Sequence, residues 1–279
     1  MLTECRQDSL EFASLGSRKV TAAFDGGAIA SNAGALLLRE ADRAVSLSRQ
    51  VAACFKDGRR QDLIEHSAET LVAQRIHGIA LGYEDLNDHD ELRHDPVLAL
   101  VSGKLQARRP DCAALAGKST LNRLEHAPRT EDDRYRKLSL DEEAMKRLFV
   151  SVFLKGQATP PERIILDLDA TDDPIHGEQE GRFFHGYYKC YCYLPLYIFC
   201  GRELLLAKLR PANIDASAGS KDEIAWIVAQ IRRQTRLTCL PLLVVISASG
   251  YDVLARRQNL APGGFWVLPR GTHGVVRGE

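Results

Sequence analysis

No apolar run in this sequence approaches the roughly 20 residues that a membrane-spanning helix needs, and its first residues lack the pattern of a secretory signal. No Cys-x-x-Cys pair occurs among the seven cysteines, at positions 5, 54, 112, 190, 192, 200 and 239, and the odd count argues against a disulfide framework. Net charge is missing too: 37 basic side chains balance 37 acidic ones, so no global field points to nucleic acid or to a membrane. Repeats and low-complexity tracts are absent. These absences leave a cytoplasmic chain with reduced thiols and no membrane partner as the expectation. What is present suffices for a core. At 279 residues and 45% hydrophobic, the chain is not mainly disordered and suits one large domain or two ordinary ones.

The charge is uneven along the chain. Pro161 to Glu180 carries seven acids (Glu162, Asp167, Asp169, Asp172, Asp173, Glu178 and Glu180) and one base, Arg163. Gly181 to Glu279 then carries 13 bases and six acids. An acidic knot before a basic stretch suits a cation site beside a polyanion-binding surface, and equally a solvated charged loop.

Up to about residue 155 the periodicity is helical. Leu37, Leu38, Ala41, Ala44, Val45, Ser48, Val51, Ala52 and Phe55 follow one stripe, with Gly58 as its stop. Further helices are expected from Ser67 to Gly82 and over Glu142 to Leu154, and a short strand over Lys19 to Phe24. Gly156 to Pro161 reads as a linker, since its two prolines fit neither a helix nor a central strand. Four strands and a helix follow: Arg163 to Asp169; Tyr191 to Cys200, with Pro195 implying an edge or bulge; Leu204 to Arg210; a helix capped by Ser220 with Glu223 in a capping box; and Leu240 to Ile246. The expected order is β-β-β-α-β, in which the helix crosses over to bring the fourth strand parallel to the first.

That order puts the carboxyl ends of the first and fourth strands at one edge, where carboxylates can share divalent cations for phosphoryl transfer on nucleic acid. Asp167 and Asp169 lie two apart and share a strand face, and oxygen ligands suit magnesium. Asp169, nearer the strand end, is the preferred ligand. The alternative is that both merely end a strand and cap a turn through Thr171.

Gly117-Lys118-Ser119 is not the close of a P-loop, because the glycine needed five residues earlier is Cys112. Ser119 or Thr120 instead caps a short helix that exposes Lys118, Asn122 and Arg123. Residues 104 to 137 carry nine bases against five acids, so this helix either contacts DNA or is an ordinary solvated one. The run Glu84 to Asp95, with Asp85, Asp88, His89, Asp90, His94 and Asp95, is a polar surface or, less simply, a metal site. His176 and His185 flank the acidic knot, as loop residues or as groups that position a phosphate. The aromatics Phe183, Phe184, Tyr187, Tyr188, Tyr191, Tyr193 and Tyr197 pack a sheet or, for one or two of them, stack on bases. Cys190 and Cys192 lack the partners that zinc needs.

The stretch LDLDATDDPIHGEQEGRFFHGYYKCYCYLPLYIFCG (Leu166 to Gly201) resembles the first-aspartate region of DDE transposases from bacterial insertion sequences. LIEHSAETLVAQRIHGIALGYEDLNDHDELRHDP (Leu63 to Pro96), LAGKSTLNRLEH (Leu115 to His126) and LRPANIDASAG (Leu209 to Gly219) resemble other parts of the same group. The likeness runs from about Phe24 to Arg236. It implies an α/β chain: a mainly helical, DNA-binding N-terminal region over residues 1–155, a linker over 156–161, and a partial RNase H-like catalytic core over 162–279. It also implies Mg2+ as cofactor, double-stranded DNA at the element's terminal inverted repeats as partner, a homo-oligomer or full-length transposase as a further one, and Asp169 as the first of three acidic ligands.

The likeness fails after the fourth strand. The family ends that strand in an Asp-Ser-Gly-aromatic motif, whereas Ile246-Ser-Ala-Ser-Gly-Tyr251 puts Ala248 in place of the second carboxylate. Neither Asp252 nor Glu279 substitutes, and the tail from Asn259 does not resemble the family. A truncated, frameshifted or decayed element is expected, catalytically incomplete. The alternative is a non-catalytic DNA-binding fragment that inhibits transposition.

Overall fold

The structure, a computed structural model, describes residues 10–15, 17–22, 30–126, 135–161, 164–235, 242–246 and 265–269. The chain divides into two compact units, Met1–Asp141 and Glu142–Glu279. The boundary falls before the third predicted helix, so that helix belongs to the second unit and not to the N-terminal one.

In the first unit, β1 (Leu10–Leu15) and β2 (Arg18–Ala22) form an antiparallel pair. Then follow α1 (Ala35–Val45), α2 (Leu47–Ala52), β3 (Phe55–Asp57), α3 (Ala68–Ala80), α4 (His89–Leu92), α5 (Pro96–Val101), α6 (Lys118–Glu125) and β4 (Leu138–Leu140). The stripe from Leu37 to Phe55, expected as one helix, is therefore two helices and a strand. Ser46 takes a left-handed conformation (φ 54°), and the Asp42 carboxylate accepts the Ser48 N–H at 2.7 Å, which restarts the helix. Phe55 leaves the helix because β3 pairs antiparallel with β4. α3 begins where Ser67 predicts: the Ser67 hydroxyl accepts the Thr70 N–H at 3.1 Å. It is followed by Gly82 at φ 92°, a backbone state that glycine adopts without a Cβ clash.

Leu71, Val72, Ala116, Leu121, Leu124 and Leu138 form one buried cluster of this unit, and Ala35, Leu98, Ala99, Val101 and Leu115 another. α6 thus has an apolar side, through Leu121 and Leu124, while Lys118, Asn122 and Arg123 are exposed.

The second unit opens with α7 (Glu142–Lys155) and continues with β5 (Ile164–Ala170), β6 (Asp173–Pro174), β7 (Phe183–His185), β8 (Cys190–Tyr193), β9 (Leu196–Cys200), β10 (Glu203–Lys208), α8 (Ser220–Thr235), β11 (Leu242–Ile246) and β12 (Phe265–Pro269). The main sheet has the order β10-β9-β5-β11-β12. β9 is antiparallel to both β5 and β10, whereas β11 is parallel to β5 and to β12. This mixed sheet contains the expected β-β-β-α-β order. It also has a fifth strand, β12, in the tail that does not resemble the family.

Two further expectations are corrected. Tyr191 to Cys200 is not one strand: β8 lies in a separate three-stranded sheet of order β6-β8-β7, and β9 in the main one. Pro195, which has no N–H to give a ladder, falls at the crossing. Ser220 and Glu223 form no capping box either. The Glu223 carboxylate is taken by Lys146 at 2.7 Å and Lys208 at 2.6 Å, tying α8 to α7 and β10.

One face of the main sheet is dry. Ile164, Leu166 and Leu168 of β5, Leu196 and Ile198 of β9 and Leu205 and Leu206 of β10 pack under Val150 and Phe153 of α7 and Ile224, Ile227, Val228 and Ile231 of α8. Each fully buried Leu or Ile contributes about 1.5–3 kcal/mol. Alternation along β5 then dictates where its acids go.

Candidate functional site

Leu166 and Leu168 point into that core, so Asp167 and Asp169 share the opposite face of β5. Both are half-buried. Across β9, Asp167 is level with Phe199 and Asp169 with Tyr197. On the other side β11 runs parallel, Val245 level with Asp167 and Ile246 with Leu168. The described part of β11 therefore ends one residue short of the level of Asp169. Ala248 lies outside the described residues. The residues after Ile246 are Ser247, Ala248 and Ser249, with no carboxylate among them.

Two carboxylates on one strand give oxygen donors of the kind a hard divalent cation takes. A two-metal centre needs more, because each ion must be held while bridging the attacking and leaving oxygens. Among the described residues no group of three or more His, Cys, Asp or Glu side chains is placed to hold a metal ion. The described residues alone do not make up a two-metal centre.

In the first unit, Lys118, Asn122 and Arg123 come together. With Leu86, Asn87, Ser119, Tyr135 and Arg136 they line an open groove of about 580 Å³. Arg123 lies 6.0 Å from the Tyr135 ring centroid, within cation–π range. The Lys118 ammonium lies 3.2 Å from the Asn87 side-chain oxygen and 3.4 Å from the Asp90 carboxylate. Asn87, Tyr135 and Arg136 were missed from sequence. Arg136 sits in the basic segment that flagged α6, whereas only the fold brings Asn87 to the same groove.

The predicted cap of α6 is corrected. Gly117, not Ser119 or Thr120, is the N-cap residue, and it has no side chain to offer. The Asp90 carboxylate accepts the Lys118 N–H at 3.1 Å instead, and a Cβ on Gly117 would lie 2.8 Å from that oxygen. The glycine of Gly-Lys-Ser thus makes room for a carboxylate. The hydrogen bond from the Lys118 N–H is the main reason the Asp90 carboxyl lies below its usual range.

Asp90 is one of three acids in the Glu84 to Asp95 run that cap helices. Asp85 caps a single 3-10 turn, Leu86–Asp88, by accepting the Asn87 N–H at 2.8 Å, and Asp95 caps α5 by accepting the Leu98 N–H at 2.7 Å. His89 is fully buried, held 3.1 Å from Gln74, and burial pushes its pKa down. His176 is exposed, and His185 accepts the Tyr188 N–H at 3.4 Å in the β7–β8 turn. Cys192 is fully buried, and burial followed by the charge of nearby Cys190 pushes its thiol up to about 11.

Among the described residues no helix is long and apolar enough to cross a membrane. No match was found among curated proteins or among solved structures. Residues 12–250 match the family described as transposase DDE domain group 1, which spans both the groove and the strand that bears Asp169. The chain belongs to the transposase DDE domain group 1 family.

Proposed function

We propose that this chain is an insertion-sequence transposase that binds the double-stranded ends of its element and is catalytically incomplete. In a complete site, Asp169, with Asp167 beside it, would be the first carboxylate for Mg2+ in strand cleavage and transfer. The observation that carries the incompleteness is the parallel register of β11 on β5: the residues that follow Ile246 are the ones from which the neighbouring carboxylate would have to come, and they contain Ala248. The groove of Lys118, Asn122, Arg123 and Arg136 is the DNA contact. Lys118 and Arg123, exposed on α6, suit phosphate oxygens, with half-buried Arg136 beside them, and Asn122 on the same helix suits a base edge. The protein acts in the cytoplasm, as an assembly with further copies or with a complete transposase.

A second reading is favoured by the same alanine. A chain that holds DNA but cannot cut it occupies element ends and inhibits a complete transposase. One experiment tests both. The purified chain is incubated with a labelled duplex carrying the element's end, with and without Mg2+. Binding without cutting is expected. Mg2+-dependent cutting that Asp169→Ala abolishes would overturn the incomplete reading, and absence of duplex binding would overturn both.

A further inference from the structure

Phe184 and Tyr191 stand opposite each other in the register of β7 and β8. They lie on the face of the three-stranded sheet away from its small core of Cys192, Leu194 and Ala212. Their rings meet edge to face, 5.5 Å between centroids. The Arg182 guanidinium lies 4.9 Å from the Tyr191 ring centroid, held there by the Gly177 carbonyl and the Glu178 carboxylate. In the connecting turn, Tyr187 stands edge-on to Tyr188 at 5.0 Å.

Tyr188, Tyr193, Tyr197 and Phe199 are half-buried, and Phe183, 40% exposed, is level with Cys192 and so lies on the other face of the small sheet. Sheet packing does not account for the exposure of Phe184, Tyr191 and Tyr187. Phe184 is 56%, Tyr191 50% and Tyr187 75% exposed. Large rings left in water on one small sheet signal a ligand. Its chemistry follows from what accompanies them. Arg182 stands over the Tyr191 ring, and Lys189 is exposed in the turn between β7 and β8. Aromatic faces beside cations hold unpaired bases without regard to sequence, because every base has a π-face. The platform also continues the strands of the carboxylate site. Ala170 of β5 pairs with Leu196 of β9, Asp173 of β6 with Tyr193 of β8, and only Thr171-Asp172 and Leu194-Pro195 intervene.

We propose that Phe184, Tyr187 and Tyr191 form a stacking platform for the unpaired bases of single-stranded DNA. This rests on the reading of DNA as ligand, and the test separates the two. Binding of the full chain to a short single-stranded DNA and to a blunt duplex is measured in parallel arms. Single-strand binding is expected, weakened roughly 5- to 100-fold by Phe184→Ala combined with Tyr191→Ala. Tyr191→Phe keeps the ring and is expected to retain it. Cooperative melting at the parent temperature checks that the exposed-site variants fold. The proposal is overturned if the parent does not bind the single strand, if the double variant binds it as well as the parent, or if the variant only converts a dimer to a monomer, which would make the patch a contact between copies. Failure in the duplex arm alone overturns the proposed function and leaves the platform standing.

Discussion

The Gln74 side chain makes a two-bond bracket with the backbone of Ala116, 42 residues away. Its amide nitrogen donates to the Ala116 carbonyl at 2.8 Å, and its oxygen accepts the Ala116 N–H at 3.0 Å. The same nitrogen lies 3.1 Å from His89 Nδ1, and Gln74 and His89 are both fully buried. This bracket fixes the residue before Gly117, and so the start of the helix that lines the groove.

Gln74→Leu is therefore expected to destabilise the first unit by roughly 2–6 kcal/mol. It strands a buried N–H and a buried carbonyl at about 1–3 kcal/mol each. Chemical denaturation of the variant against the parent measures this. A change below about 0.5 kcal/mol, the usual range for surface substitutions, would contradict the bracket's importance.

Glu65 and His66 make the first unit acid-sensitive. Burial alone would raise the Glu65 carboxyl, but hydrogen bonds from Lys104, the Arg108 N–H and Arg109 outweigh it and hold it at about 2. Burial, then the charge of Lys104, pushes His66 down to about 4 from 6.5. Both pKa values are depressed by folding, so each group stabilises the fold above its unfolded value and ceases to as pH falls through its folded one. Loss from His66 runs between about 6.5 and 4, and from Glu65 between about 4.5 and 2. The melting temperature should fall from pH 7 to 4, and His66→Phe should flatten that part of the curve. An equally steep curve in the variant would assign the effect elsewhere.

In the second unit, Glu223→Ala removes the carboxylate that Lys146 and Lys208 share and leaves both ammonium groups without it. A cost of about 2 kcal/mol is expected, between that of an exposed pair and that of a buried one, because the Glu223 side chain is 8% exposed but that of Lys208 48%. Glu223→Gln should recover part of it. Burial pushes the Glu223 carboxyl up, but the bonds from the two lysines win and leave it below its ordinary value. Its contribution is hence lost as the solution is acidified below the ordinary carboxyl range. The stability gap between parent and Glu223→Gln should therefore close on acidification, and a gap that stays the same at every pH would refute this.

Salt dependence reads the groove. If Arg123 and Arg136 each neutralise a DNA phosphate, either alanine variant should weaken duplex binding and lower the slope of log K against log salt by about 0.9. Asn122→Ala should leave the slope alone and change the ranking of sequences. A slope unmoved by both arginine variants would place the DNA elsewhere.

Local signals determined much of this protein. Apolar density and alternation along Ile164 to Ala170 were enough for β5 and for two acids on one face, because a strand's period is two whatever it packs against. Ser67 and Gly82 marked the bounds of α3 through backbone chemistry that acts within one turn. The long motifs from Leu63 to Gly219 were enough for the family. Only the tertiary structure decided what depended on distant partners. β3 takes Phe55 out of a helical stripe because β4, more than 80 residues later, offers a ladder. β12, not among the expected strands, pairs with β11. Asp90 caps a helix that begins at Lys118, and Asn87 meets Lys118 in a groove no spacing foretold. Glu223, which has the spacing of a capping box, bonds two lysines instead. Strand pairing, remote caps and shared ions are bonds between segments, and a reading that moves along the chain detects the groups but not which of them meet.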